Sequence, residues 1–214
     1  MKLYSYFRSS ASYRVRIALQ LKGLDYTYEP IHLVRGEHRG DAFAEVSADG
    51  LVPVLQLDDG SCLSQSMAIV EYLDEAFPAV PLLPGDALGR ARVRALAQTI
   101  ACEVHPVNNL RILQYLTGTL GVDDEARTAW IRHWMRTGLE AFESQLARND
   151  TPGDFCWGDT PGLADCCLVP QIFNARRFGC DLAGLPRTLA ACEAAMALPA
   201  FQAAQPSASP DAEG

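Results

Sequence analysis

A chain of 214 residues is long enough for one large domain or two small ones with a real core. Hydrophobic residues at 49% and charged residues at 21% fit a soluble globular protein and exclude disorder, collagen and a coiled coil. A formal net charge of −8 argues against a nucleic-acid surface and against anionic membranes, so a small anionic ligand would need arginines placed locally.

The N-terminal run MKLYSYFRSS lacks the apolar stretch of a signal peptide, and no segment is long enough to span a membrane; a cytoplasmic protein is expected. The seven cysteines, at 62, 102, 156, 166, 167, 180 and 192, are an odd number with no C-x-x-C pair. That spacing supports neither a zinc site nor a redox motif, and no metal is expected.

The chain opens with a strand pattern over Lys2 to Phe7, then a Ser-rich turn. Val15, Ile17, Ala18, Leu19 and Leu21 give a helical stripe stopped by Gly23. Tyr26 to Leu33 reads as a second strand and residues 38–46 as a short helix. Pro53 to Leu57 and Ser61 to Leu63 flank Asp58-Asp59-Gly60, a hairpin signal. Ser66 to Phe77 is a helix with Met67, Val70, Leu73 and Phe77 on one face. The order β-α-β-α-β-β-α is the thioredoxin-like arrangement, so residues 1–80 form an α/β domain. Three prolines between Pro78 and Pro84 then interrupt the pattern and mark a boundary. Beyond them an all-α domain is expected over 87–205, with helices near 87–117, 123–148, 163–178 and 186–197. Pro106 and Pro170 should each kink a helix. Residues 206–214 are small, polar and proline-rich, and read as a frayed tail.

Three places could carry chemistry. Arg8-Ser9-Ser10 lies between the first strand and first helix, where unpaired N–H groups and a partial positive charge stabilise an anion. A hydroxyl there can lower a thiol pKa, although serine there also simply caps helices. Val52-Pro53 precedes a strand; a cis bond would turn the Val52 backbone toward a peptide-like ligand, whereas a trans proline would only start an edge strand. Gln65-Ser66 opens the next helix, with Ser66 placed as its N-cap or as a holder of a ligand carboxylate.

The run YSYFRSSASYRVRIALQLKGLDY resembles the zeta-class glutathione transferases, the maleylacetoacetate isomerase type; LVPVL, QSMAIVEYL, HPVNNLRIL, LADCCLVPQ and NARRFGCDL extend the likeness across the chain. The resemblance implies a thioredoxin-like domain followed by a helical bundle, glutathione as cofactor and a homodimer. It implies Ser9 as the hydroxyl facing the glutathione sulfur, with Ser10 and Arg8 beside it. His38, Val52, Gln65 and Ser66 would bind the rest of the tripeptide, with Asn109 bordering it. Arg8, His105, Arg111 and Arg177 would face a small diacid, Arg176 being the weaker of its pair. The reaction implied is a cis–trans isomerisation of maleylacetoacetate that returns glutathione unchanged, with maleylpyruvate as the alternative substrate. A conjugating or dehalogenating transferase and a glutathione-binding regulator remain competing readings.

Two departures stand out. Ala11 occupies a position where the family commonly has cysteine, which removes a thiol without touching the serine. Gly162-Leu-Ala-Asp165 replaces a Thr-x-x-Asp helix start; Asp165 could still reach back to the Gly162 N–H, a structural role.

Overall fold

The computed structural model describes residues 1–149 and 151–213. The chain divides into two compact units, Met1–Leu82 with Met196–Gly214, and Leu83–Ala195.

The first unit holds a four-stranded sheet in the order β2-β1-β3-β4. Its strands are β1 (Lys2–Ser5), β2 (Thr27–Pro30), β3 (Val54–Gln56) and β4 (Cys62–Ser64). β1 runs parallel to β2 and antiparallel to β3, with Leu3 paired to both Tyr28 and Leu55. The parallel pair needs a crossover, which α1 (Ser10–Leu21) supplies. The antiparallel pair β3–β4 needs only the Asp58-Asp59-Gly60 turn. A short helix α2 (Asp41–Ala44) and α3 (Ser66–Ala76) complete the expected order.

α1 packs against both α3 and α9 (Pro199–Ala204), so every residue from Ser12 to Leu19 is buried. That span includes Arg14 and Arg16, at 3% and 2% exposure. Burying a guanidinium is costly unless its donors are satisfied. Arg16 meets this by donating to Ser5 Oγ and to the carbonyls of Tyr6, Phe7 and Ala204. Lys22 is used in the same way at the other end of the helix. Its Nζ donates to the carbonyls of Phe77 and Val80 and pairs with Asp74, whose Oδ1 also takes the Leu82 N–H. The proline-rich stretch is thereby pinned against the first unit, and the boundary falls at its far end.

The second unit is all-helical: α4 (Ala87–Gln98), α5 (Leu110–Gly118), α6 (Asp124–Ala147), α7 (Leu163–Arg177) and α8 (Pro186–Met196), whose last residue belongs to the first unit. α4 packs on α7, and α6 on the segment that follows α4. Among the described residues no helix is long and apolar enough to cross a membrane.

Three expectations are corrected. The helix foreseen over 87–117 is not one kinked rod. After Gln98 the chain widens into a π-helical turn (Thr99–Val104), tightens into a 3-10 turn (Pro106–Asn108) and restarts as α5. Pro106 has no N–H to continue the ladder, so the helix ends rather than bends. Pro170, by contrast, sits inside α7, which runs through it. Second, the helical domain ends at Ala195 rather than 205, because α9 returns to the first unit. Third, the segment foreseen as a frayed tail is ordered over 206–213, Gly214 lying outside the described residues. It forms a 3-10 turn over Pro206–Ala208, buries Pro206 and Ser209, and places Asp211 in hydrogen bonds to Phe7 and Tyr28. Its polar groups bind buried donors in place of water.

Candidate functional site

In the first unit the β1–α1 turn carries Arg8, Ser9 and Ser10. Ser9 is the N-cap of α1: its backbone is extended and its Oγ accepts the Ser12 N–H at 3.2 Å. That bond uses one lone pair and leaves the O–H to donate; among the described residues nothing accepts it. Capping and thiol activation are thus compatible at the same oxygen. Ser10 differs, being the first helical residue and 5% exposed. The Arg8 guanidinium lies over the Phe7 ring at 4.8 Å, half-exposed.

Tyr6, Phe7, Phe43, Val52 and Val54 form one hydrophobic cluster beneath this turn. The Val52–Pro53 bond is cis, which decides between the two alternatives that the sequence leaves open. Neither the Val52 N–H nor its C=O is bonded within the described chain. An extended backbone with open donor and acceptor is what strand-like addition of a peptide requires.

The start of α3 departs from the sequence reading. Of the two roles the sequence offers Ser66, helix cap or holder of a ligand carboxylate, the cap position falls to Gln65, and Ser66 is the first helical residue. Gln65 has φ 67°, the one non-glycine residue in the left-handed half of the backbone map among those described. Such a conformation costs on the order of 1–3 kcal/mol and clusters at ligand clamps. The Gln65 side chain makes no cap bond, so the first N–H groups of α3 present their positive end without a side-chain acceptor. Ser66 Oγ is instead buried and receives Arg14 Nη1 at 3.2 Å. Gln65 Nε2 reaches Asp49 Oδ2 at 3.5 Å, and Asp49 also takes the Leu51 N–H, joining the Val52 loop to the helix start.

His38 stands in the 3-10 turn Glu37–Arg39. The chain folds back on it at Gly50, whose φ is 63° and where a Cβ would stand 3.1 Å from the His38 carbonyl. His38 Nδ1 is buried with no hydrogen-bond partner. Burial, and then the charge of Arg39, hold the imidazole below its ordinary pKa, so it is neutral at neutral pH.

The remaining predicted residues lie in the second unit. Asn109 caps α5, its Oδ1 accepting the Arg111 N–H at 3.2 Å, which ties those two together. His105 ends the π-helical turn four residues earlier in the chain, its N–H on the Ile100 carbonyl. Arg111 is exposed on the first turn of α5. Arg177 closes α7 with its guanidinium over the Phe178 ring at 5.0 Å, also exposed. At the other end of α7, Asp165 takes the N–H groups of Gly162 and Cys156, so the reach-back half of a capping box forms although glycine has no side chain to make the other half. Burial pushes this carboxyl above the usual range. Among the described residues no group of three His, Cys, Asp or Glu side chains could hold a metal ion.

Sequence reasoning missed Arg14, Asp49 and Asp211. Arg14 had a signal: with Arg16 it interrupts an otherwise apolar helix, SYRVRIAL, at a spacing that cannot place both on one solvent face. Asp49 and Asp211 had none.

Residues 8–76 match the family model for the glutathione S-transferase N-terminal domain. Over 212 residues, 99% of each chain, the sequence is 49% identical to maleylpyruvate isomerase from a Ralstonia species. A holo maleylpyruvate isomerase, described as a bacterial glutathione S-transferase of the zeta class, superposes with a TM-score of 0.97 at 48% identity, covering all of both chains. This chain belongs to the zeta-class glutathione transferases. A further neighbour is maleylacetoacetate isomerase from Methylobacterium extorquens with bound malonate and glutathione; it superposes with a TM-score of 0.96 at 37% identity, again over the full length of both.

The first unit's own geometry fits the tripeptide that such a transferase uses: an uncommitted hydroxyl at a helix start, an open Val52 backbone, an orphaned His38 nitrogen and an uncapped α3 N-terminus. Glutathione is the cofactor of this zeta-class chain, as the glutathione-bound relative indicates.

Proposed function

We propose that this zeta-class chain is a glutathione-dependent cis–trans isomerase of a small maleyl-type diacid, with maleylacetoacetate as first substrate and maleylpyruvate as the alternative. The observation that carries the mechanism is Ser9 Oγ, which caps α1 yet keeps its O–H to donate. Full-length likeness to enzymes named for both substrates supports the reaction class.

When bound, glutathione supplies a thiolate nucleophile that is returned unchanged. Ser9 favours that ionised sulfur by donating its O–H, and the α1 N-terminus adds its partial positive charge. The Val52 main chain, His38, Gln65 with the α3 N-terminus, Ser66 and Asn109 are the assigned holders of the tripeptide. Arg8, Arg111 and Arg177, with His105, are assigned to the substrate. A planar guanidinium pairs a carboxylate through two parallel bonds and balances negative charge that develops on the adjacent carbonyl oxygen. Ser10, buried, supports the turn. The family likeness also supports a homodimer working in the cytoplasm, which light scattering would test by mass.

The test is ultraviolet turnover of maleylacetoacetate and, separately, maleylpyruvate with glutathione far below substrate. Many turnovers per glutathione, lost in Ser9→Ala, are expected, and the faster substrate names the natural one. A reaction that stops when glutathione is consumed would make the chain a conjugating transferase instead.

A further inference from the structure

The turn that carries Ser9 does not hold itself. It is four residues between β1 and α1, and its one internal main-chain bond runs from the Ser9 N–H to the Tyr6 carbonyl at 2.9 Å. The peptide groups that flank Phe7 are gripped from outside. Arg16 Nη2 donates to the Phe7 carbonyl at 3.0 Å and Nη1 to the Tyr6 carbonyl at 3.4 Å. On the opposite side of the same residue, the Phe7 N–H donates to Asp211 Oδ2 at 3.1 Å, across a separation of 204 residues. The peptide groups on both sides of Phe7 are therefore fixed, one by a buried guanidinium and one by a carboxylate from the far end of the chain.

Asp211 is itself held in place. Its Oδ1 accepts the Tyr28 hydroxyl at 2.6 Å from β2. Burial first, and the bond to Asp211 second, keep that hydroxyl well above the usual phenol range, so it stays a donor. Arg16 binds the same segment upstream through the Ala204 carbonyl at 2.9 Å. Two residues beyond Asp211, Glu213 pairs with Arg35 at 2.8 Å and meets His32 Nε2 at 3.1 Å. The segment 204–213 is thus a strap fastened at several points, with its carboxylate delivered to the one N–H that precedes Arg8 and Ser9.

From this geometry we infer that Asp211 is a positioning residue for the Ser9 turn, setting where the Ser9 hydroxyl meets the glutathione sulfur. The inference rests on the reading of Ser9 given above. Asp211 touches neither substrate nor sulfur; it acts through Phe7. The bond matters because a hydroxyl displaced by even 1 Å loses much of its effect on a developing or stabilised anion. An N–H left without its acceptor would let the turn swing about the Ser9 cap.

The experiment compares the full-length wild type with Asp211→Ala, Asp211→Asn and Ser9→Ala. Each is followed by the pH midpoint of thiolate absorbance of bound glutathione and by kcat and KM, at a temperature where circular dichroism shows a native fold. Expected for Asp211→Ala is a thiol midpoint raised by about one pH unit and kcat lowered about tenfold, with the glutathione KM much less affected. Asp211→Asn, whose amide oxygen still accepts the Phe7 N–H, recovers most of both. Wild-type midpoint and kcat in Asp211→Ala, with only a lower melting temperature, would overturn the inference and leave the strap a stability device. Should Asp211→Ala not fold, Tyr28→Phe is read in the same way, since it frees the carboxylate from its other holder; an unchanged midpoint there overturns the inference too. If Ser9→Ala shifts the midpoint and Asp211→Ala does not, only the positioning role fails. If neither shifts it, the reading of Ser9 fails and takes this inference with it.

Discussion

Arg14 Nη1 donates to Ser66 Oγ at 3.2 Å, so a charged side chain buried in α1 holds the first residue of α3 from beneath. The start of α3, at Gln65 and Ser66, is thereby referenced to α1, whose own start is Ser9. A buried charged hydrogen bond of this kind contributes roughly 1.5–3 kcal/mol, and breaking it leaves Ser66 without its donor. Arg14→Met should therefore destabilise the fold by about 2 kcal/mol in urea unfolding and raise the glutathione KM several-fold. Ser66→Ala should cost less, and the double variant less than the sum of the two, as a mutant cycle would record. Additive losses would show that the pair does not couple the helices.

Ser9 performs two tasks with one oxygen, and the tasks separate by substitution. The cap needs an acceptor; the thiol needs a donor. Ser9→Ala removes both and should lose about 1 kcal/mol of stability along with a rate factor of about 10². Ser9→Asp keeps the acceptor, suits the helix dipole and has no proton to give at neutral pH. It should keep or exceed wild-type melting while remaining as slow as the alanine variant. Activity that tracked stability across the pair would mean that the serine acts only as a cap.

The sequence makes the order of elements legible because periodicity survives folding, although it does not show the run over 87–117 breaking into separate helical segments. The Ser9 turn was legible for a local reason, since a helix start announces its own backbone, whereas Val52-Pro53 marked a strand edge and left cis or trans open. What escaped depended on contacts distant in sequence. Gln65 holds the cap position, and the hydroxyl of Ser66 is taken by Arg14, an α1 residue fifty-two positions away. Arg16 looks solvated by type, yet it is buried because four acceptors were waiting for it. The residues after Pro206 read as frayed by composition, and composition does not reveal that Phe7 and Tyr28 supply donors for Asp211.

Packing near His105 depends on a missing side chain. A Cβ on Gly138 of α6 would stand 2.0 Å from Val104 Cγ2, in the π-helical turn that leads to His105. Val104 is 1% exposed and its β-branched side chain is stiff, so its methyl has little room to yield. Gly138→Ala should cost roughly 1–3 kcal/mol by overpacking, despite the better helix propensity of alanine. Adding Val104→Ala makes room and should restore part of the loss. A stabilised Gly138→Ala single variant would show that the two helical segments can part without penalty.

His38 gives the fold a pH dependence with a definite sign. In the unfolded chain its imidazole titrates near the ordinary value of about 6.5. In the folded chain burial first, and Arg39 second, hold it lower. As pH falls through about 6.5, the unfolded state therefore takes up a proton that the folded state still refuses, and stability drops until the folded pKa is reached. Above that window the contribution is complete. Urea unfolding at about pH 8 and about pH 5 should show a loss at the lower pH that is smaller in His38→Gln, which carries no proton in either state. An equal pH slope in wild type and His38→Gln would place the titrating group elsewhere and remove His38 from the account.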